Sequence, residues 1–295
     1  QNEILGEAQS LYKEGSELLE KGQAAEAIRP LERARVMQRA RRDYQLQLAR
    51  AYLAAGRLND AEGVLRPVLN ADSNAGDSNL VMARLQVRFG NDREAEAYYH
   101  RAVYGKWTDA TAEESVRMEL AEFLAEAGQP QKLLAEVLLL QSDGQTDVDK
   151  QRKIAHLLVV AGSPARAVPS YRSLLRKNPD DIEALTGLAE AEMALGDYSS
   201  AQESLRRAQR RRPDDKQIEA RLEFAALLSS LDPTPRRLAS KEKFERSTRV
   251  LELAKSDLRA CAQLKGVETQ MQPVITDAEA KQKLQRQTTN EAAEA

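Results

Sequence analysis

Apolar residues recur along this chain at helical spacing, in blocks that come in pairs. In the clearest pair Leu185, Leu188, Ala189, Ala191, Met193 and Leu195 form one stripe, Gly196-Asp197 interrupts it, and Tyr198, Ala201, Leu205 and Ala208 form a second. Spacings of three and four residues put side chains on one face of an α-helix, whereas a half-buried strand would alternate every second residue. The same reading predicts six helix pairs, over roughly residues 4–38, 42–70, 77–104, 111–142, 147–177 and 181–211. Pro213 stops the sixth pair, and Pro179 stops the fifth after Tyr171, Leu174 and Leu175, because proline has no N–H to continue the ladder.

The pairs are copies of one unit. Gly22, Gly56, Gly90, Gly128, Gly162 and Gly196 are separated by 34, 34, 38, 34 and 34 residues, a period characteristic of helical repeat arrays. Seven residues before each glycine stand Gly15, Ala49, Ala83, Ala121, Ala155 and Ala189; five after it stand Ala27, Ala61, Ala95, Leu133, Ala167 and Ala201. Side chains this small let two helix axes approach closely, and the glycine between them suits a turn that needs positive φ.

On these residues, across about 7–215, the chain resembles the tetratricopeptide repeat family. Ala155 to Pro179 and Ala189 to Pro213 match best, each with the small residue, the turn glycine, the alanine and the closing proline. The first four units lack that proline, and Leu133 replaces the alanine in the fourth. Pro30 and Pro169 lie early in their helices, whereas Pro67 predicts a kink. The resemblance implies an all-α fold, a right-handed superhelical solenoid of about six helix pairs over residues 1–215, with an open wall rather than an enclosed pocket.

Beyond Pro213 the period breaks. Residues 216–231 read as one amphipathic helix, Asp232-Pro233-Thr234-Pro235 interrupts, and a longer helix over about 240–264 starts with Ser240 as its N-cap. These two helices, within 216–264, are expected to cap the array, since a terminal repeat otherwise leaves a face open to water. The apolar side of the second runs Phe244, Val250, Leu251, Leu253, Ala254, Leu258, Cys261 and Leu264, which predicts a buried, inert thiol at Cys261. The polar tail 265–295 is expected to carry a short helix from Thr276 to about Gln287 and to be ordered by docking, on its own array or on another subunit.

Charge and composition narrow the function. With 44 basic against 46 acidic residues the chain is nearly neutral, which argues against nucleic acid held by a net positive field. No apolar run is long enough to span a membrane. The chain opens Gln1-Asn2 with neither methionine nor apolar leader. The expectation drawn from this is a periplasmic or extracellular protein whose signal peptide has been removed, with a cytosolic adaptor as the alternative. The single Cys261 leaves the compartment open.

Catalytic and cofactor chemistry finds no footing. His100 and His156 lie on different predicted helices without metal-pair spacing, there is no glycine-rich phosphate loop, and one cysteine cannot attach haem through a paired motif. Asp180-Asp181 and Asp214-Asp215 follow closing prolines, where helix N-termini account for them. No cofactor and no metal is expected, and the chain is read as a non-enzyme.

The resemblance places the first helix of each pair on the concave face. The matching positions include Tyr12 and Lys13, then Arg50, then Arg84 and Arg88, then Glu119 and Glu122, then Arg152, Lys153 and His156. The order is basic, acidic, basic, and it fits either a partner with alternating charge or a set of solvated local ion pairs. The lysines, asparagines and arginine with which some family members clamp a chaperone's terminal carboxylate are absent, for those places hold Tyr12, Ser16, Gln47, Asp77 and Val81. Trp107, in the four-residue insertion of the third interval, is read either as a plug between repeats or as an interaction hot spot.

The expected function is a protein-binding scaffold in a larger exported assembly, such as an envelope complex, a filament or a cytochrome-associated structure. Its partner is then another protein subunit, a cytochrome among the classes that the resemblance implies. Self-association through Arg207, Arg210, Arg211 and Arg212 and an accessory domain of an enzyme are the other readings.

Overall fold

The computed structural model describes residues 2–107, 112–141, 147–235, 237–266 and 268–294, and among them every regular element is an α-helix. The sole departure is an isolated bridge between Ala75 and Lys106. Two compact units divide the chain, residues 1–167 and 168–295.

In the first unit α1 (Asn2–Glu20) pairs with α2 (Ala24–Met37), α3 (Arg42–Ala54) with α4 (Leu58–Ala71), α5 (Gly76–Phe89) with α6 (Asp92–Val103), and α7 (Ala112–Glu126) with α8 (Pro130–Gln141). α9 (Val148–Val160) packs on α7 and α8. Each helix also packs on the next pair, so leucines from successive repeats share one core: Leu31, Leu48, Leu65 and Leu85 are wholly removed from water. α4 runs through Pro67, with Val68 and Leu69 buried directly after it.

The glycine period marks how each pair turns. All six repeat glycines adopt φ between +65° and +77°. The residue after Gly56 donates its N–H to the carbonyl five positions back, Arg57 to Tyr52 at 2.8 Å, and Asp197 does the same to Glu192 at 2.9 Å. This closure satisfies carbonyls the helix end leaves free and needs the left-handed residue that glycine supplies cheaply. The small-residue seam is equally physical. Ala27, Ala61, Ala95 and Ala201 are completely buried, and a methyl group added to Gly15 would stand 2.5 Å from Leu31 Cγ. Leu133, the exception, is completely buried too.

The insertion after α6 folds back onto α5. Lys106 N–H donates to the Asn74 carbonyl at 2.7 Å and Gly76 N–H to the Lys106 carbonyl at 3.1 Å. Trp107 then lies over Gly76, so close that a methyl group there would collide with the indole at 2.3 Å.

In the second unit α11 (Ile182–Ala194) pairs with α12 (Tyr198–Arg211), and Tyr171 of α10 (Pro164–Lys177) is buried against Gly187. Asp181 caps α11 by accepting from Ala184 N–H, and Asp215 caps α13 (Lys216–Leu231) by accepting from Gln217 and Ile218 N–H. α13 covers α12, and α14 (Ser240–Lys265) forms an antiparallel hairpin with α15 (Glu268–Glu294).

Three details of this region differ from the sequence reading. Ala239, not Ser240, holds the N-cap of α14 and makes no side-chain cap bond; Ser240 is its first helical residue. In place of a short helix starting at Thr276, α15 runs from Glu268, because Ile275 and Gln282 have a surface to cover on α14. Cys261 is exposed. The buried line on α14 passes through Lys255 and Ala262, and a residue next to Ala262 is turned about 100° away from that contact.

Candidate protein-binding groove

The first helices of the pairs in unit 1 line three adjoining hollows. One, of about 710 Å³, lies between Tyr12, Arg42, Gln47, Asp77 and Trp107. A central one, of about 540 Å³, is lined by Leu19 of α1, Arg50 and Leu53 of α3, Val87 and Arg88 of α5 and Glu119 of α7. A third, of about 700 Å³, lies between Glu114, Met118, Glu122, Lys150 and Lys153. Arg50 belongs to the first two and Glu119 to the last two, so the hollows form one groove.

Most charges along it are paired across neighbouring repeats. Arg84 donates from Nε and Nη2 to the two carboxylate oxygens of Glu119, at 2.7 and 2.6 Å, and Tyr99 O–H donates to the same carboxylate at 2.9 Å. Lys153 reaches Glu122 at 2.9 Å, Lys150 pairs with Glu114, and Arg42 with Asp77. The hydrogen bond to Glu119 holds Arg84 above the usual arginine range, and burial together with that carboxylate raises the Tyr99 phenol. Exposed pairs of this kind are worth under about 1 kcal/mol each, so they shape the groove more than they stabilise it.

Two arginines stand apart. Arg50 is half-buried, its only hydrogen bond among the described residues is to Gln47 Oε1 at 3.3 Å, and desolvation, partly offset by Asp77, pulls its pKa below the usual value. Arg88 is exposed at the rim of the same hollow with no carboxylate partner among the described residues. Between them the lining is apolar: Leu19, Leu53, Ala54, Val81 and Val87. The central hollow therefore offers two guanidinium groups with free donors over an apolar floor, which suits a carboxylate flanked by apolar side chains.

The remaining residues singled out from the sequence are distributed along the groove and beyond it. Tyr12 stacks on Tyr44 with ring centroids 4.5 Å apart. Lys13 points to solvent and pairs with Glu17 of its own helix. Arg152 pairs with Asp149 at 2.7 Å, and His156 is exposed on α9. Trp107 is half-buried, donates Nε1–H to the Ala102 carbonyl at 2.8 Å, and shows the rest of its ring to the first hollow. Sequence reasoning missed the apolar floor and Tyr99, which comes from a second helix. It also passed over Arg42 with Asp77, whose separation of 35 residues, the same as that of Arg84 and Glu119, was the available signal.

Two stretches match tetratricopeptide repeat models, residues 12–77 and 158–222. The chain is a tetratricopeptide repeat protein. No curated protein sequence matches it. Solved structures with a similar fold include YrrB, described as a TPR protein with an unusual peptide-binding site, at 15% identity and TM-score 0.53, covering 64% of this chain and 96% of that one. PilF of Pseudomonas aeruginosa is similar at 16% identity and TM-score 0.56, covering 76% and 99%. PilW, described as a widely conserved type IV pilus biogenesis factor, is similar at 16% identity and TM-score 0.54, covering 72% and 97%. At these identities the likeness concerns the fold. Tetratricopeptide repeats are protein-interaction modules and typically non-catalytic, and no described helix of this repeat protein is long and apolar enough to cross a membrane.

Proposed function

We propose that this protein is a non-enzymatic scaffold that holds an extended segment of another polypeptide in the groove along α1, α3, α5 and α7, within a larger assembly outside the cytoplasm. The observation that carries the proposal is the central hollow with its apolar floor, where, among the described residues, neither Arg50 nor Arg88 is hydrogen-bonded to a carboxylate. The carboxylate that acts on Arg50, Asp77, is bonded to Arg42, and a carboxylate from a ligand would compensate the half-buried cation further. The placement in a filament draws on the fold shared with PilW, described as a type IV pilus biogenesis factor, and the envelope complex and cytochrome-associated structure on the repeat resemblance alone.

Selection of peptides from a random library against the full chain, followed by titration of the selected sequences, tests the groove. Enrichment of peptides that combine carboxylates with leucine-like side chains is expected, with affinity lost in Arg50→Glu and in Val87→Glu. Peptides that bind both variants as well as the parent would refute the assignment. Fractionation of the native host, probed with an antibody to the chain, tests the compartment.

A further inference from the structure

The second helices of the fifth and sixth pairs differ in charge from those before them. α10 carries Arg166, Arg172, Arg176 and Lys177 and no carboxylate, and α12 carries Arg206, Arg207, Arg210 and Arg211 against Glu203 alone. In α2, α4, α6 and α8, basic and acidic residues balance to within one charge. α11 shows the opposite bias, with Glu183, Glu190 and Glu192 and no cation. Within the second unit, charge is thus segregated between first and second helices.

Arg172, Arg176 and Arg207 line a hollow of about 430 Å³ with Leu175, Leu188, Glu192 and Glu203, and Glu203 is paired with Arg210 at 3.7 Å. The positive charge of the lining arginines is poorly neutralised. Among the described residues Arg176 is exposed with no partner, and Arg207 is bonded only to the Pro179 carbonyl at 3.0 Å. Arg172 lies 3.6 Å from Glu192, a buried carboxylate that already accepts from Ser204 Oγ at 2.9 Å.

We propose that this face docks an acidic segment of a partner protein, at a surface distinct from the groove of the first unit. Guanidinium groups beside apolar side chains match carboxylates spaced by aliphatic side chains. The chain's own acidic helix is a poor occupant: Glu190 is held by Arg221 at 2.6 Å, Glu192 is buried, and Glu183 is engaged. A lipid surface would call for apolar side chains to insert, and among the described residues no large one is exposed on α10 or α12. A single-stranded nucleic acid would call for an exposed ring to stack on, and Tyr171 is buried.

Fluorescence anisotropy of the full chain with a labelled glutamate–leucine peptide tests the proposal. A single-stranded oligodeoxynucleotide of the same length and vesicles of phosphatidylglycerol serve as the competing anions. Expected is peptide binding that weakens about tenfold or more in Arg176→Glu/Arg207→Glu and falls with rising ionic strength. In the Arg50→Glu background, where the first-unit groove no longer contributes, binding of the peptide should persist and still be lost on Arg176→Glu/Arg207→Glu, which separates it from failure of the groove reading. Retained circular dichroism and melting of the double variant confirm that it folds. Equal or tighter binding of the oligonucleotide or the vesicles, or a peptide affinity indifferent to the double charge reversal, would overturn the proposal.

Discussion

Leu133 is the one large side chain in a series that otherwise holds small residues, and its replacement by alanine opposes two kinds of reasoning. Repeat regularity treats Leu133→Ala as a return to the preferred residue, which would leave stability unchanged or raise it. The structure says otherwise, since Leu133 is wholly buried on α8, which packs on both α7 and α9. Removing three carbons at about 0.8 kcal/mol each costs roughly 2.4 kcal/mol in transfer alone. The space left behind raises the expected loss to about 3–4 kcal/mol, because neighbouring helices relax only in part. Urea unfolding followed by circular dichroism and by fluorescence of Trp107, the chain's single tryptophan, measures it. Two probes are needed because a repeat array can lose neighbouring units separately. Trp107 stands at the junction before α7 and reports the units concerned. A loss under about 1 kcal/mol would show that the alanine-sized seam is interchangeable at this position and that the packing argument is wrong.

Arg117 and Glu136, both buried, meet at 2.7 Å, so Arg117→Met should cost about 3–5 kcal/mol by stranding the carboxylate, while Arg117→Met/Glu136→Met should recover most of it in the same urea titrations. Asp147 accepts from Asp149 and Lys150 N–H at 2.7 and 3.1 Å, and Asp147→Ala should lower stability by about 1 kcal/mol and speed hydrogen exchange at those two amides. Burial raises the pKa of Glu192 above its ordinary value of 4.5. Its contribution to stability is therefore fully present below that ordinary value and is lost as pH rises through the raised one. Glu192→Gln, which can still accept from Ser204, should accordingly be more stable than the parent at neutral pH and no more stable at about pH 4, as read by thermal melts across that range.

Regular elements were legible because their causes are local. A glycine that closes a helix with positive φ, an alanine where two axes cross and a proline that ends a ladder each act within a few residues of their own position. The period of 34 residues announced them in the sequence, and the structure places Gly22 through Gly196 in the conformation that period requires. The charge order along the first helices was legible too, from Arg84 through Glu119 to Lys153.

What those charges do was decided only in three dimensions. Whether Arg84 is available or bound depends on a carboxylate 35 residues away, and the same folding that joins it to Glu119 leaves Arg50 and Arg88, among the described residues, with no hydrogen bond to a carboxylate. The exposure of Cys261 has the same origin, for the register between α14 and α15 selects Ala262 as the contact and turns its neighbour outward. Local sequence sets which faces a helix can offer. Which of them is covered follows from the rotation at which separate helices pack, and that rotation minimises the energy of side chains distant in the chain.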